Sequence, residues 1–289
     1  MFDFMVGLVL EGGTFRGTFS AGFMDGLIEA GVKFPYVTGV SAGISNAASY
    51  VSGQFGRNIE IFEKYRNDKR YIGAGNYRKC KSYFGLDFVY DEIPNSLIPF
   101  DYESFRGSDT RFMVGVTNAL TGRTEFLDGK GDTDKWIYLR ASCAIPGYFP
   151  AIEIGGVPYY DGGIGCPICI KPAIRDGCSR NVILLTQPEG YIKKCGKGNI
   201  AMSQIIRRKY PAMEMALLAR HRLYNRQVAF CEELGRRGKA LIFRPKERLD
   251  SFQRDTAVLR QYWQEGYDMC LENIDMIKEF MGADVTGKI

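Results

Sequence analysis

Apolar residues recur along the chain in two alternating patterns. Short runs rich in β-branched and aromatic residues predict strands at residues 6–10, 36–38, 111–117, 124–127, 157–160, 181–186 and 240–244. Longer runs with helical spacing predict helices ending near residue 30 and over residues 44–51, 59–67, 133–140, 200–234 (one helix or a pair) and 256–281. Residues 68–99 are weakly periodic and predict loop, either a connecting excursion or a wall of a substrate site. Strands that alternate with helices predict an α/β fold with a largely parallel sheet.

A serine lies between two glycines where a predicted strand meets a predicted helix, in Gly39-Val-Ser41-Ala-Gly43. A tight strand-to-helix turn leaves little room for a Cβ at the two flanking positions, which explains the glycines. The turn places the serine hydroxyl at a helix N-terminus, where partial positive charge favours a developing anion. The same string also occurs in ordinary glycine-rich turns, but its flanking elements favour Ser41 as a nucleophile.

A glycine-rich loop, Glu11-Gly-Gly-Thr-Phe-Arg-Gly17, connects the first predicted strand to the first predicted helix. Such a loop presents unpaired N–H groups to an anion. It is not a dinucleotide fingerprint, because Thr14 occupies the third position of the motif, where glycine is required. It is not a phosphate loop either, because Thr18 and Phe19 follow Gly17 instead of Lys and then Ser or Thr. We therefore predict an anion hole for a small group beside Ser41.

A serine nucleophile needs a base, and two residues are candidates. The single histidine, His221, completes the order Ser, Asp, His of an α/β-hydrolase triad, but its spacing from Leu217 and Tyr224 predicts that it lies within a helix. Asp161 ends a predicted strand and precedes two glycines, which would allow close approach to another loop, although Asp-Gly is also a common turn. Burial beside Ser41 would raise the pKa of Asp161 and make it a better base. We therefore expect Asp161 to be the base and esters to be preferred over amides, with His221 as the alternative.

Composition limits the class of protein. The 45% apolar content is enough for a sizeable core, and no run reaches the ~18 apolar residues of a membrane span. The first ten residues include an aspartate and no basic residue, so they predict a buried strand and not a signal peptide. Eight cysteines without a predicted secretion signal indicate reduced thiols and a cytoplasmic location. Cys166 and Cys169 have no second cysteine pair or histidine nearby, so we expect no metal.

The net charge of +5 is unevenly distributed. Residues 203–260 contain 14 Lys or Arg and six Asp or Glu, a net charge of +8 that leaves −3 for the rest of the chain. Such a segment could contact an anionic membrane surface or nucleic acid, or could form a solvated helix face. The oligomeric state cannot be predicted from the sequence.

Four motifs in order resemble those of patatin-like phospholipases: Glu11-Gly-Gly-Thr-Phe-Arg-Gly17, Gly39-Val-Ser-Ala-Gly43, Ala141-Ser-Cys-Ala-Ile-Pro146 and Asp161-Gly-Gly163. The resemblance covers about residues 7–175, and more loosely the remainder. It implies a three-layer α/β/α fold and lipid acyl hydrolysis by a Ser–Asp dyad. By resemblance Ser41 is the nucleophile, Asp161 the dyad acid, and Gly12, Gly13, Arg16 and Gly17 the oxyanion loop. Thr14 stands where the family usually has a third consecutive glycine.

We therefore expect a phospholipase A-like acyl ester hydrolase without a cofactor. Its expected partners are a phospholipid or other acyl ester and an anionic membrane surface, and not nucleic acid. The expected organisation is a catalytic core at residues 1–195 and a mainly helical portion at 196–289 packed on it. Two alternatives remain open. In one, Thr14 disables the anion hole of a weak or inactive lipid-binding protein; in the other, His221 completes a Ser-Asp-His esterase.

Overall fold

The computed structural model describes residues 5–282, apart from the side chains of residues 74, 79 and 80. The strands are β1 (Met5–Leu10), β2 (Tyr36–Gly39), β3 (Arg111–Asn118), β4 (Thr124–Asp128), β5 (Ile152–Ile154), β6 (Val157–Asp161), β7 (Cys178–Leu184) and β8 (Ala240–Phe243). The helices are α1 (Gly17–Glu29), α2 (Ser41–Val51), α3 (Arg57–Tyr65), α4 (Ala74–Cys80), α5 (Tyr102–Gly107), α6 (Ile137–Ser142), α7 (Ile170–Arg175), α8 (Lys197–Ile206), α9 (Pro211–Arg236), α10 (Thr256–Glu272) and α11 (Ile274–Phe280).

The strands of the described region form one eight-stranded sheet in the order β5-β6-β3-β2-β1-β7-β8, with β4 also paired to β3. The five strands β3, β2, β1, β7 and β8 run parallel to one another. The other three strands join antiparallel at the β3 side. The prediction of an α/β fold with a largely parallel sheet is confirmed. Because β1 lies between β2 and β7, the loops that follow β1 and β2 meet at the carboxyl end of the sheet.

Side chains of the central strand β1 alternate between two hydrophobic clusters, one on each face of the sheet. Val6, Leu8 and Leu10 pack with side chains of α1, α2 and α10 on one face. Val9 packs with side chains of α7 and α9 on the other. Successive side chains of a strand point to opposite faces, so a strand covered on both faces is apolar throughout. The structure is therefore a three-layer α/β/α arrangement, as the family resemblance implied.

Helices α1 and α10 pack so closely that their backbones are in contact. A Cβ on Gly22 of α1 would lie 1.9 Å from the carbonyl oxygen of Trp263 in α10. A Cβ on Gly266 of α10 would lie 2.0 Å from the carbonyl oxygen of Phe19 in α1. The Trp263 indole also donates to the buried Asp25 carboxylate at 2.7 Å. These contacts hold α1, which follows the glycine-rich loop, against a helix near the far end of the chain.

Replacing Gly22 by alanine is expected to destabilise the protein by about 3 kcal/mol or more, because the new methyl group would overlap a backbone carbonyl that cannot move alone. Gly235→Ala in α9 is the matched control, since its Cβ would have no neighbour nearer than 3.7 Å. The control should be neutral or slightly stabilising, because alanine favours a helix more than glycine does. Denaturant unfolding of both variants measures the difference. Equal midpoints would contradict the close helix contact.

The loop prediction for residues 68–99 is wrong in part. The structure has α4 there and a π-helical segment, Phe88–Leu97. Tyr71, Phe88 and Ile93 are buried in a cluster with Phe15 of the glycine-rich loop. Their burial depends on residues distant in the sequence, so local periodicity did not reveal it.

Three other boundaries differ from the predictions. Helix α6 begins later than the predicted helix at 133–140, because Trp136 has a left-handed backbone (φ 52°) and the Asp132 carboxylate accepts the N–H of Tyr138. The short strand β5 was not predicted. The segment at 200–234 is a pair, α8 and α9, which is one of the two predicted alternatives, whereas the single helix predicted at 256–281 is two helices. The division of the chain at residues 195 and 196 stays a prediction; β8 and α10 lie beyond that point and contribute to the sheet and to the α1 layer.

Candidate active site

Ser41 occupies a strained turn between β2 and α2. Its φ of 54° lies in the left-handed region, which non-glycine residues rarely adopt. A Cβ at Gly39 would lie 2.7 Å from the carbonyl oxygen of Leu10, and a Cβ at Gly43 would lie 2.5 Å from that of Glu11. The two glycines are therefore required by the close approach of this turn to the end of β1.

A hydrogen-bond chain fixes the backbone of Ser41. The Ser41 N–H donates to the Ser142 hydroxyl at 2.8 Å, and that hydroxyl donates to the carbonyl of Gly115 in β3 at 2.7 Å. Ser142 is fully buried and lies in the Ala141–Pro146 motif. This motif therefore positions the turn, a function that local sequence patterns did not indicate.

Asp161 ends β6 and is held on several sides. Its N–H donates to the Ala144 carbonyl at 2.8 Å, and its own carbonyl accepts the Thr117 hydroxyl at 2.9 Å. The N–H of Gly163 donates to its Oδ1 at 2.7 Å. A Cβ on Gly162 would lie only 2.1 Å from the Gly115 carbonyl oxygen, so the glycines after Asp161 allow the tight contact with β3. The aspartate is thus buried and fixed, with 6% of its surface exposed.

The structure brings Ser41 and Asp161 together. Burial raises the pKa of Asp161, because removal from water penalises the charged carboxylate. A hydrogen bond from the Ser41 hydroxyl, the positive charge of Arg220 and the Gly163 N–H oppose this shift without cancelling it. The result is a buried hydroxyl and a buried carboxyl that line the same cavity, with the carboxyl pKa above its usual range.

The glycine-rich loop lies against Ser41. A Cβ on Gly12 would lie 2.7 Å from the Cβ of Ser41. The N–H groups of Gly12, Gly13 and Thr14 donate to no other group in the described part of the chain, whereas the N–H of Phe15 donates to the Ser251 carbonyl. Three successive donors at the start of the loop therefore have no partner within residues 5–282.

Arg16 and Gly17, the other residues of the predicted oxyanion loop, have N–H groups that are already bonded within the loop. The N–H of Arg16 donates to the Gly13 carbonyl at 3.1 Å, and the N–H of Gly17 is bonded within the same turn. The Arg16 side chain donates from Nη1 to the Ser251 hydroxyl, while its buried Nε has no partner among the described residues. Burial lowers the pKa of Arg16. Arg16 and Gly17 therefore shape the loop, and its free donors come from residues 12–14.

Two cavities meet at Ser41. The first, here called the apolar cavity, has a volume of about 150 Å³ and is lined mainly by aromatic and aliphatic side chains, among them Phe62, Tyr71, Val89, Leu139 and Phe149. The second, here called the polar cavity, has a volume of about 730 Å³ and contains Asp161 together with charged side chains that include Arg16, Lys193, Arg220 and Arg248. Ser41, Thr14 and Ile145 line both. A molecule with an apolar and a polar part could therefore place the junction of the two parts at Ser41.

His221 is not part of this arrangement. It lies within α9 and lines neither cavity, although its neighbour Arg220 lines the polar one. Cys166 and Cys169 are buried free thiols, and Cys169 donates to the Cys166 carbonyl. The residues that the structure describes contain no group of three or more His, Cys, Asp or Glu arranged to hold a metal. Among residues 5–282, every helix is too short or too polar to cross a bilayer.

Comparison with known families identifies the class of protein. A family model described as patatin-like phospholipase matches residues 8–174, more than half of the chain. The chain therefore belongs to the patatin-like phospholipase family, and the resemblance seen in the motifs is confirmed. A second model, described as a domain of unknown function (DUF6363), matches residues 210–282.

Individual relatives match part of the chain. It is 28% identical over 190 residues to the uncharacterized protein YjjU of Escherichia coli, covering 63% of this chain and 52% of YjjU. It is 30% identical over 172 residues to the lysophospholipase nte1 of Aspergillus oryzae, covering 55% of this chain and 10% of nte1. The chain thus spans about half of YjjU and a tenth of nte1. The crystal structure of VipD from Legionella pneumophila aligns with 96% of this chain and 67% of its own, at 13% identity and a TM-score of 0.46.

Proposed function

We propose that the protein is a lipid acyl ester hydrolase in which Ser41 is the nucleophile and Asp161 is its base. The observation that carries this proposal is that a buried serine lies where an apolar and a polar cavity meet, and that a buried carboxyl whose pKa responds to that serine lines the polar cavity. The patatin-like phospholipase family and relatives named lysophospholipase support it.

In the proposed reaction, Asp161 accepts the proton of the Ser41 hydroxyl as Oγ bonds to the acyl carbonyl carbon. The carbonyl oxygen becomes an oxyanion that accepts hydrogen bonds from the free N–H groups of Gly12, Gly13 and Thr14. The ester bond then breaks, and Asp161 returns its proton to the leaving alcohol. Asp161 next takes a proton from a water molecule that attacks the acyl-serine, and Ser41 recovers this proton as the carboxylic acid leaves.

The raised pKa of Asp161 supports this role. A carboxylate with an ordinary pKa near 4 is a weak base for a hydroxyl. Burial raises the pKa of Asp161 and so brings it closer to the pKa of the serine hydroxyl. An alkoxide leaves more easily than an amide nitrogen, so a carboxylate base fits esters better than peptides. The N-terminus of α2 at Ser41 adds partial positive charge beside the forming oxyanion.

The cavities suggest how the substrate lies. The apolar cavity would hold the acyl chain, and the polar cavity would hold the alcohol portion. A cavity of about 150 Å³ accepts a group of roughly six carbons, by comparison with an engineered apolar cavity of that size that binds benzene. We therefore expect acyl groups of about six carbons to be accepted. Contact of the basic segment 203–260 with an anionic membrane surface stays a prediction, as does a cytoplasmic location.

The two alternative functions are less well supported. A triad through His221 is disfavoured because that residue lines neither cavity. An inactive lipid-binding protein would require Thr14 to disable the anion hole. Thr14 instead adopts a left-handed backbone (φ 54°), a conformation that suits glycine, and its N–H makes no bond to the other described groups. The threonine therefore costs some strain but leaves the donor available.

The proposal is tested by treating the protein with a fluorophosphonate probe and measuring turnover of 4-nitrophenyl hexanoate. We expect a single adduct on Ser41 and hydrolysis of the ester. His221→Ala should keep its rate within about threefold of the wild type, whereas loss of a general base costs about 10²- to 10⁴-fold. Absence of both label and turnover would overturn the proposal, and a large loss in His221→Ala would favour the triad.

A further inference from the structure

The polar cavity contains more positive than negative side chains. Five basic residues line it, Arg16, Lys193, Lys194, Arg220 and Arg248, against the two acids Glu11 and Asp161. We call Arg16, Lys193, Arg220 and Arg248 the cationic cluster. Each of the other three lowers the pKa of Lys193 through its positive charge, so the four lie close to one another. They come from four separate stretches of the chain, so their proximity is a product of the fold.

The cationic cluster is only partly neutralised by the protein. Within the described residues, none of its members forms an ion pair with a carboxylate. Arg220 donates to the Gly163 carbonyl at 2.6 Å, and Arg248 and Lys193 lie over the Tyr191 ring at 5.3 and 5.8 Å. These partners hold the cations in place but carry no full negative charge.

Glu11, the acid that acts on Lys193 and Arg16, is already engaged in other hydrogen bonds. Glu11 is buried, and its Oε2 accepts the N–H of Thr186 at 2.8 Å and lies 3.5 Å from the Tyr224 hydroxyl. Its charge only partly offsets the cluster, because Lys193 still has its pKa lowered to about 7 by burial and by the surrounding arginines. Arg16, Lys193 and Arg220 are held partly out of water without an ion pair, which is unfavourable, and a bound anion would relieve this cost.

The free donors indicate what kind of anion fits. The Nε of Arg16 is buried and has no partner among the residues described, and a guanidinium offers paired N–H groups that match phosphate oxygens. A phosphate monoester carries nearly two negative charges and three acceptor oxygens. Three arginines and a lysine suit such a dianion better than a single carboxylate. A headgroup that ends in a quaternary ammonium would place positive charge among these cations.

We propose that the cationic cluster binds a phosphate monoester on the alcohol side of the ester cleaved at Ser41. The inference rests on the proposed hydrolase function, since Ser41 lies between the cluster and the apolar cavity. The preferred substrate class is then acyl esters of a phosphorylated alcohol, such as lysophosphatidate. Esters with a phosphocholine headgroup are expected to be poorer substrates.

Binding can be measured without turnover by titrating Ser41→Ala protein with glycerol 3-phosphate in a calorimeter at pH 8. We expect saturable binding, weakened at least tenfold when Lys193→Met and Arg248→Gln are added, because two charged contacts to the dianion are lost. Lys246→Met is the matched control; this exposed lysine precedes Arg248 by two residues, lines neither cavity and should change the dissociation constant less than about twofold.

Proton uptake on binding reports the charge state of Lys193. It would not occur if Lys193 only supported the structure of the cavity. Its charged neighbours are Arg220, Arg16, Arg248 and Glu11, and with a pKa near 7 it is mostly neutral at pH 8. A bound dianion would raise that pKa, so the protein should take up protons on binding. Titrations in buffers of different ionisation enthalpy measure this uptake. It should disappear in Lys193→Met, and binding without uptake in the parent protein would contradict the placement of the anion beside Lys193.

Substrate preference tests the same site in the active protein. Hexanoyl lysophosphatidate should exceed hexanoyl lysophosphatidylcholine in kcat/KM by at least about tenfold, and the Lys193→Met, Arg248→Gln double variant should reduce that ratio below about threefold. Hydrolysis of both lipids without preference would overturn the phosphate site while leaving the hydrolase function intact. Glycerol 3-phosphate binding without hydrolysis of any ester would support the phosphate site and overturn the hydrolase function. Inorganic phosphate that binds as tightly as glycerol 3-phosphate, with no lipid preference, would identify a free-phosphate site and overturn the substrate assignment.

Discussion

Ser41→Ala is expected to lower kcat/KM for 4-nitrophenyl hexanoate by about 10⁴-fold or more, the size of loss seen when an enzyme loses its nucleophile. The variant keeps its backbone turn and both cavities but has no oxygen to form the acyl intermediate. It should also lose the fluorophosphonate adduct. Initial rates, corrected for spontaneous ester hydrolysis, and intact mass after probe treatment measure these effects.

The matched control is Ser20→Ala. Ser20 is a fully buried serine in α1 whose hydroxyl has no partner among the described residues, and it lines neither cavity. The same chemical change at this position should leave the rate within about twofold and should not lower stability, because it removes an unsatisfied polar group. Residual activity of Ser41→Ala above about one hundredth of the wild-type rate would mean that another group is the nucleophile.

The neighbouring thiol of Cys143 is the obvious competitor. Burial raises its pKa to about 11, and its negative neighbour Asp161 adds to that shift. A thiol is a nucleophile chiefly as a thiolate, so Cys143 is largely unreactive at neutral pH. A probe adduct on Cys143 would therefore overturn the assignment of Ser41.

Asp161→Asn is expected to lower kcat/KM by about 10²- to 10⁴-fold, because an amide cannot accept the serine proton. The same change should raise the thermal midpoint at pH 7.5, because it removes a buried charge. Burial raises the pKa of Asp161 in the folded protein, so its ionised form costs stability at neutral pH. Loss of activity together with a gain of stability marks a residue kept for chemistry.

The stability gain of Asp161→Asn is expected to depend on pH. A carboxyl whose pKa is raised on folding stabilises the native state fully below its unfolded pKa of about 3.9, and this contribution is lost as the pH rises through the folded value. The stability gain of Asp161→Asn should therefore be largest at neutral pH and should shrink as the pH approaches 4. Wild-type kcat/KM should fall as Asp161 becomes protonated, at a pH above the usual carboxyl range. A variant less stable than the wild type at pH 7.5 would contradict the unfavourable burial of this charge.

The local sequence predicted most of the fold and the two residues at the centre of the site. Ser41 and Asp161 were recognisable because each is flanked by glycines that a close backbone approach requires, and glycine spacing is visible in a short string. Their contact across about 120 residues stays an expectation, and the structure places both residues in the lining of the polar cavity. Their catalytic roles stay predictions. The helical segments within residues 68–99 were missed, because tertiary burial stabilises them.

Other parts of the site had weak sequence signals. Ser142 positions Ser41 through a single hydroxyl, and although its stretch resembles a family motif, the local sequence does not indicate this role. Arg220 precedes His221, the alternative base predicted from the sequence. Arg220 lines the polar cavity, whereas His221 does not. The glycine-rich loop was predicted as a unit, whereas its free donors come only from residues 12–14.

The sequence by itself determined the alternation of strands and helices, the turn at Ser41 and the glycine-rich loop, because each depends on steric and hydrophobic preferences of residues adjacent in the chain. Only the tertiary structure decided which N–H groups remain free, that His221 lies outside both cavities, and that four cations from distant segments share one of them. Those features depend on which side chains are removed from water together, and that is set by the packing of the three layers and not by any single stretch of sequence.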